Sequence, residues 1–153
     1  MSTDERAARA ADPALLDLAA SLHQGVLTTV KRDGRPQLSN VLYAWDPDEL
    51  VARVSVTATR AKTRNAARDP RVSLHVSAPD FWSYVVLEGD AELSDVAADP
   101  ADAVVDELVD TFRGTGAEHD DWPAFRRAMV AEQRQVLRVR VTHVYGMARP
   151  PRA

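Results

Sequence analysis

The sequence predicts a small antiparallel β-barrel with helices packed outside it, and three observations support this fold class. Short segments rich in β-branched and aromatic residues recur along the chain, and turn residues such as Asp46-Pro47-Asp48 separate them. Asp33-Gly34 lies between two of these segments and is a typical hairpin signal. Apolar and polar side chains alternate along residues 135–146, as they do along a β-strand. Short strands joined by tight turns favour a barrel over a doubly wound sheet.

The strands follow a short N-terminal helix. The first twelve residues are predicted to be a mobile tail, and Asp12-Pro13 then opens a helix with leucines on or near one face. After the helix, the hairpin at Asp33-Gly34 joins the first two strands. Strands are predicted at residues 25–31, 36–45, 50–56, 72–76, 84–93 and 135–146.

The last strand has the most regular pattern. Its alternation predicts that one set of side chains faces the core and the other set faces away. His143 falls in the apolar set, so we expect a core or interface histidine rather than a proton donor. The apolar set is Leu137, Val139, Val141, His143 and Tyr145, and the other set is Arg138, Arg140 and Thr142.

Three further helices are predicted. The first covers residues 60–68 and ends before Pro70, because the residue before a proline resists helical geometry. The other two are joined by the polar loop 114–121, which is a candidate gate for a binding site. Each has apolar residues on one helical face, at Val104, Val105, Leu108, Val109 and Phe112 in one and at Trp122, Phe125 and Met129 in the other.

The composition is that of a globular protein with an ordinary core. The 153 residues are 45% hydrophobic and 27% charged and fit one domain, which we place at residues 13–149. The net charge of −4 argues against nucleic acid as the main partner. Without cysteine, disulfides and thiolate metal sites are excluded, and the four histidines lack metal-ligand spacing. No apolar run suits a signal peptide or a membrane span, so we expect a cytoplasmic protein.

The start of the helix at residues 60–68 has charges in the wrong place for a helix that stands alone. Helix N-termini carry partial positive charge and free N–H groups, so acidic residues are favoured in the first turn. Thr59 is the expected N-cap, yet Arg60, Lys62 and Arg64 crowd the first turn. Lys62 is one of only two lysines among nineteen basic residues. A bound anion would explain the pattern, and a solvated arginine-rich face is the alternative.

Six segments have the order and spacing of a known family. They are Gly25-Val-Leu-Thr-Thr-Val, Asp33-Gly-Arg-Pro-Gln-Leu-Ser-Asn40, Thr59-Arg-Ala-Lys-Thr-Arg-Asn65, Asp69-Pro-Arg-Val-Ser-Leu, Trp82-Ser-Tyr84 with Glu88-Gly89, and His143-Val-Tyr-Gly146. Over residues 22–145 the chain resembles the flavin-reductase-type split β-barrel superfamily that includes pyridoxamine 5′-phosphate oxidase. Within it, the chain is similar to the actinobacterial deazaflavin-dependent reductases that use coenzyme F420. The resemblance implies a split β-barrel homodimer with the cofactor in a groove at the subunit interface.

The resemblance also implies roles for individual residues. In such proteins an Arg-x-Lys pair at the start of the helix after the third strand holds the cofactor phosphate, which here means Arg60 and Lys62. Trp82 is expected to wall the pocket, and a buried core position is the alternative. For Ser39 and Asn40 of the second strand, the alternative to a cofactor contact is the ordinary polarity of a strand. The remaining matched positions are Gln37, Ser39 and Asn40 along the deazaflavin ring, Val54 and Ser55 near the ring edge and ribityl chain, Ala61 and Thr63 beside the pair, and Trp82 as one wall.

The implied activity is hydride transfer between the deazaflavin and a small unsaturated acceptor. A deazaflavin carries a hydride pair, so no protein nucleophile is required and none is conspicuous in the sequence. The proton for the acceptor would come from solvent or from a hydroxyl such as that of Tyr84.

Other interpretations stay open from the sequence. FMN also has a ring, a ribityl chain and a phosphate, so the phosphate site fits either cofactor. The acidic tail of F420 would need further cations, for which Lys31, Arg35, Arg64 and Arg68 are candidates. A carrier that binds flavin or tetrapyrrole without turnover is a third possibility. Pyridoxamine phosphate oxidation is not expected, because no counterpart of the C-terminal substrate-binding segment of those oxidases is found.

Overall fold

Seven strands form one antiparallel sheet in this computed structural model, which describes residues 1–150. The order across the sheet is β2-β1-β5-β6-β7-β4-β3, and the sheet curls so that β2 comes into contact with β4. The predicted mainly β, antiparallel architecture is confirmed. The strands are β1 (Gln24–Val30), β2 (Pro36–Leu42), β3 (Ala44–Asp46), β4 (Val51–Thr57), β5 (Arg71–Ser77), β6 (Tyr84–Leu93) and β7 (Arg134–Met147).

The second predicted strand is divided in two by Tyr43. The ring of Tyr43 is fully buried, and its hydroxyl donates a hydrogen bond to the backbone oxygen of Ala19, 2.6 Å away. Its backbone N–H donates to the backbone oxygen of His23. Burial raises the pKa of Tyr43 well above its ordinary value.

Five helices flank the sheet. The first of them lies in the segment that the sequence predicts as a mobile tail, and there the structure differs from the prediction. Ala8 is fully buried against the core, and the Arg9 guanidinium donates to the backbone oxygen of Asp48. The helices are α1 (Thr3–Arg9), α2 (Pro13–Ser21), α3 (Ala61–Arg68), α4 (Ala103–Gly114) and α5 (Trp122–Ala131).

The sheet has two faces with different coverings. We call the face that carries Leu27, Leu74 and Leu87 the core face, and α1, α2 and α3 pack against it. The opposite face, which we call the outer face, is covered only in part. There α4 and α5 form a second apolar cluster around Val136 of β7. A cleft remains where the two helices meet β2, β4 and the start of α3.

A bulge in β7 overturns the predicted pattern of that strand. Glu88 pairs with His143 and Gly89 with Val141, so one extra residue, Thr142, is inserted opposite this step. A one-residue insertion moves every later side chain to the other face of the sheet. Val144 therefore packs against the core, and His143 is exposed. The expectation of a core position for His143 is wrong for this reason, and an interface position stays a prediction.

No helix within residues 1–150 is both long and apolar enough to cross a membrane.

Candidate functional site

Helix α3 begins without a side-chain cap. Arg60 occupies the N-cap position in an extended conformation, and no side chain accepts a hydrogen bond from the first turn. The predicted cap, Thr59, lies outside the helix, so that prediction is wrong. The first turn also contains no acidic residue. Its backbone N–H groups and the positive end of the helix dipole are therefore available to an anion. The other four helices are capped by side-chain oxygens, from Ser2, Asp12, Asp102 and Asp121.

Lys62 lies in the first turn of α3, where its positive charge is unfavourable. Its side chain is half-buried, and within residues 1–150 it forms no ion pair with a carboxylate. Burial of the ammonium lowers the pKa of Lys62, and the nearby charges of Arg60 and Arg134 lower it further. A cation that is buried among other cations is stabilised most by a bound anion.

Lys62 lines a cleft of about 390 Å³, which we call the Lys62 cleft. Asn40 of β2 and Ser55 of β4 line it as well, so three of the predicted cofactor residues come together. No acidic side chain lines this cleft. Its far wall comes from α4 and α5, through Leu108, Thr111, Phe112, Thr115, Phe125 and Met129.

The wall of the Lys62 cleft is apolar despite its two threonines. The hydroxyl of Thr111 donates to the backbone oxygen of Glu107, and that of Thr115 donates to the backbone oxygen of Phe112. Behind this wall, Phe112 and Phe125 pack against Trp122, with ring centroids 5.9 and 5.3 Å from it. Aromatic rings that pack edge to face hold such a wall in place.

Arg134 is a functional candidate that sequence reasoning missed. It starts β7, pairs with Thr57 of β4 and thereby reaches the Lys62 cleft. Its guanidinium also donates to Glu132, with 2.8 Å between Nε and the carboxylate oxygen. Nothing in the sequence near Arg134 signals this position, because only the pairing of two distant strands brings it beside Lys62.

Gln37 and Ser39 lie on the opposite face of β2 from Asn40. Gln37 Nε2 donates to the Ser39 hydroxyl at 2.9 Å, and the Thr29 hydroxyl donates to Gln37 Oε1 at 3.1 Å. Asn65 of α3 joins this network through Thr29, with 3.2 Å between Nδ2 and Oγ1. In this structure the network ties α3 to the first hairpin, and neither Gln37 nor Ser39 lines the Lys62 cleft.

The other predicted site residues do not line the cleft. Val54 is buried in the core and the Thr63 hydroxyl donates to the backbone oxygen of Thr57 at 2.8 Å. Trp82 is 58% exposed in the β5–β6 loop, so the alternative of a buried core tryptophan is wrong. Its indole lies against Phe81 and under the Arg149 guanidinium. Its role at a cofactor site stays a prediction.

A second, strongly basic cavity adjoins the start of α3. It measures about 830 Å³, and we call it the basic cavity. Ala61 lies at its boundary, and no acidic side chain lines it. Three of the four cations that the sequence suggests for an acidic tail line this cavity, and Arg35 does not. Its cations are Lys31, Arg32, Arg64 and Arg68.

Metal ligands do not cluster in the part of the chain that the structure describes: no group of three or more histidine or carboxylate side chains could hold an ion there.

The chain is similar to a known protein family and to several solved structures. The pyridoxamine 5′-phosphate oxidase family matches residues 11–148. A solved structure named as an F420 reductase is 30% identical, with a TM-score of 0.63, over 84% of this chain and 94% of that one. A conserved hypothetical protein from Mycobacterium tuberculosis is 25% identical, with a TM-score of 0.66, over 95% and 84% of the two chains. A heme-binding protein from Mycobacterium smegmatis, 24% identical with a TM-score of 0.65, covers 96% of this chain but is only 54% covered itself, and shows likeness of fold alone.

Proposed function

The chain belongs to the pyridoxamine 5′-phosphate oxidase family and has its split β-barrel fold, and on that premise we propose that it is an oxidoreductase that uses coenzyme F420. The reaction is the transfer of a hydride between the deazaflavin and a small unsaturated acceptor. The observation that carries the proposal is the half-buried, unpaired Lys62 beside the uncapped start of α3. The 30% identity to a protein named as an F420 reductase supports this cofactor.

The residues present fit the phosphate of such a cofactor. Lys62 and Arg60 supply positive charge, and the first N–H groups of α3 supply donors that no side chain satisfies. Arg134 adds a second cation inside the cleft. These groups would bind the phosphate by charge-assisted hydrogen bonds. Asn40 and Ser55, which line the same cleft, would hold the part of the cofactor that follows the phosphate.

When bound, a deazaflavin supplies the hydride pair. The task of the chain is then to hold the two reactants in one orientation and to keep water out. The apolar wall from α4 and α5 serves the second purpose, because its hydroxyls are already satisfied by helix carbonyls. No protein nucleophile takes part in this proposal.

The basic cavity favours F420 over FMN. Both cofactors contain the phosphate that Lys62 would bind, but only F420 continues into a chain of carboxylates. The cavity starts at Ala61, next to Lys62, and presents Lys31, Arg64 and Arg68 along the path that such a tail would follow. Several cations close together attract a polyanion.

We also propose that two copies of the chain associate through the uncovered part of the outer face. Leu38 and Leu42 of β2 are 61% and 51% exposed, and Tyr145 and Met147 of β7 are exposed on the same face. Contiguous exposed apolar side chains mark interaction surfaces, and an isologous dimer is the commonest assembly that covers such a face.

The cofactor assignment is tested by titrating the protein with F420 and, separately, with FMN, and following fluorescence. We expect F420 to bind tightly and FMN weakly. Lys62→Ala should weaken F420 binding by about 10–100-fold, because a charge-assisted hydrogen bond contributes about 1.5–3 kcal/mol. The matched control is Arg127→Ala, which removes one positive charge from an exposed position of α5. Preferential FMN binding would move the protein to the flavin branch, and binding of neither cofactor would refute the proposal.

A further inference from the structure

The carboxylate of Glu132 and the guanidinium of Arg134 form an ion pair at the edge of the Lys62 cleft. Arg134 Nε lies 2.8 Å from Glu132 Oε2. Arg134 lines the cleft, whereas Glu132 does not. No other carboxylate within residues 1–150 pairs with Arg134. One of the two cations that line the cleft is therefore partly neutralised before any ligand binds.

The backbone between the two residues holds the ion pair at this place. Gln133 has a positive φ of 54°, and it turns the chain from the end of α5 into β7. Its N–H donates to the backbone oxygen of Val130 at 3.1 Å, and its own oxygen accepts from the N–H of Ala58 at 3.0 Å. Arg134 then pairs with Thr57 of β4. Because the turn is bonded on both sides, the ion pair lies at a defined junction of α5, β4 and β7.

The ion pair leaves donors of Arg134 available to a ligand. Only Nε donates to Glu132, and within the described part of the chain the two terminal nitrogens have no hydrogen-bond partner. Most of the N–H donors of a guanidinium are on those terminal nitrogens, and their planar arrangement matches phosphate oxygens. Arg134 can therefore bind a phosphate with its terminal nitrogens while the Glu132 carboxylate stays on Nε. The negative charge of Glu132 then acts on the bound phosphate as well.

The charge of Glu132 acts differently on the two kinds of phosphate ester. A phosphate monoester carries a charge of about −1.5 to −2 at pH 7, whereas a diester has no second proton to lose and carries about −1. The Coulomb energy scales with the product of the charges, so Glu132 repels a dianion about twice as strongly as a monoanion. Lys62 and Arg134 favour the dianion, and Glu132 offsets part of that preference. The phosphate of FMN is a monoester, while that of F420 is a diester because it joins the ribityl chain to the tail.

We propose that Glu132 is a specificity-determining residue that shifts the Lys62 cleft from phosphate monoesters toward phosphate diesters. It does so through Arg134, by lowering the positive charge that the cleft presents to the phosphate. The inference rests on the proposed function, because it takes the Lys62 cleft to be the phosphate site. It gives F420 an advantage over FMN at the phosphate itself, independent of the tail and of the basic cavity.

The ester preference is tested on the protein without cofactor, with methyl phosphate and dimethyl phosphate as probes. At pH 8 the first is a dianion and the second a monoanion. Dissociation constants come from the shifts of amide NMR signals at constant ionic strength. Glu132→Gln removes the charge but keeps an oxygen that can accept from Arg134 Nε. We expect both probes to bind the variant more tightly, and the gain for methyl phosphate to exceed that for dimethyl phosphate by about 3–10-fold.

Two controls separate a local charge effect from a general one. Asp17→Asn makes the same change in net charge at an exposed position of α2, which packs against the core face, and should keep the wild-type ratio of the two affinities. At pH 5 methyl phosphate is mostly a monoanion, so Glu132→Gln should there change both affinities by the same factor. With the whole cofactors, Glu132→Gln should raise the affinity for FMN more than that for F420.

The outcomes separate this inference from the proposed function. An equal gain for both probes at pH 8 overturns the inference, and so does a loss for both, which would mean that Glu132 only orients Arg134. Either result leaves the cofactor assignment in place if the wild type binds F420. A protein whose ester ratio shifts as expected but that binds neither F420 nor FMN keeps the inference and refutes the oxidoreductase. If the wild type binds neither ester, the inference fails with the phosphate site.

Discussion

Lys62 at the start of α3 and Arg134 at the start of β7 line the same cleft, and no acidic side chain lines it with them. The charge of Arg134 therefore disfavours that of Lys62 in the ligand-free protein. Burial of the ammonium is the largest cause of the lowered pKa of Lys62, and repulsion by Arg60 and Arg134 adds to it. An arrangement that costs stability without a ligand is common at binding sites, because the ligand restores what the folded protein lacks.

Inorganic phosphate is expected to stabilise the protein through this cleft. A ligand that binds only the folded state stabilises it by RT ln(1 + [L]/Kd), so the unfolding temperature rises with the phosphate concentration. Lys62→Met should remove most of this increase, because it deletes the ammonium but keeps most of the side-chain volume. Thermal unfolding at matched ionic strength, with phosphate replaced by chloride as reference, measures the effect. Arg127→Met should respond to phosphate as wild type does, and an equal loss in both variants would refute a local site.

The stability of the ligand-free protein is also expected to depend on the charge of Lys62. Its pKa is lower in the folded protein than the ordinary value of 10.5, so the unfolded chain binds more protons between the two values. The contribution of Lys62 to stability should therefore rise with pH through that window. The difference in unfolding free energy between the wild type and Lys62→Met, measured in urea at pH 7, 9 and 10.5, should shift in favour of the wild type as the pH rises. A steeper rise in the variant would contradict the assignment.

A charge placed on the outer face is expected to separate two associated copies. Leu42→Glu puts a carboxylate on the exposed apolar part of β2, and in a two-fold interface each substitution appears twice. Sedimentation velocity should then show a monomer where the wild type is a dimer. Val96 is exposed to a similar degree, 40%, but lies in the segment before α4, so Val96→Glu is the control. A wild-type monomer at micromolar concentration would refute the proposed dimer.

Local patterns in the sequence predicted where the strands lie but not where a bulge interrupts their pairing. Asp33-Gly34 predicted the first hairpin, and Gly34 has the positive φ of +87° that such a turn requires. The bulge at Thr142 could not be foreseen, because an inserted residue is visible only against its partner strand. The single alternating pattern of the last strand therefore gave the wrong face for His143.

The sequence predicted the part of the candidate site that has unusually placed charges. Lys62 stood out because cations at a helix start contradict the helix dipole. Asn40 and Ser39 were expected to contact one ring, yet neighbouring residues of a strand point to opposite faces, and only Asn40 lines the cleft. Arg134 could not be predicted from the sequence, because its position depends on the pairing of β7 with β4. Long-range pairing leaves no local trace in the sequence.

The bulge makes Gly89 more sensitive to substitution than Gly34. A Cβ on Gly89 would lie 2.1 Å from the backbone oxygen of Arg140, which cannot move without breaking the sheet. Gly89→Ala should therefore cost several kcal/mol or prevent folding, as overpacking against backbone does. A Cβ at Gly34 would have no atom of the described residues within 4 Å. Gly34→Ala is therefore expected to lower the free energy of unfolding by only about 1–2 kcal/mol, because of the positive φ. Urea unfolding of both variants measures the difference, and similar losses would contradict the steric argument.

Glu107 fixes α4 to the sheet through two arginines, and its contribution should disappear in acid. Arg138 Nε lies 2.7 Å and Arg53 Nε 3.1 Å from one carboxylate oxygen, and the side chain of Glu107 is 22% exposed. Hydrogen bonds from Arg138 and the charges of both arginines lower the pKa of Glu107 below its ordinary value of 4.5. The stabilisation is therefore complete above that value and is lost as the pH falls through the lowered pKa.

Glu107→Gln should accordingly lower the free energy of unfolding by about 1–3 kcal/mol at pH 7, since two partly buried guanidinium groups lose a charged partner. At a pH below the lowered pKa the wild-type carboxyl is neutral, and the difference between the two proteins should vanish. Urea unfolding at a series of pH values from 7 to 3 measures it. The control is Asp106→Asn, whose ion pair with Arg126 has a mostly exposed carboxylate and should contribute less than about 1 kcal/mol. Because α4 also forms the wall of the Lys62 cleft, a Glu107→Gln protein that keeps its stability but loses cofactor affinity would show that Glu107 positions the wall without stabilising the fold.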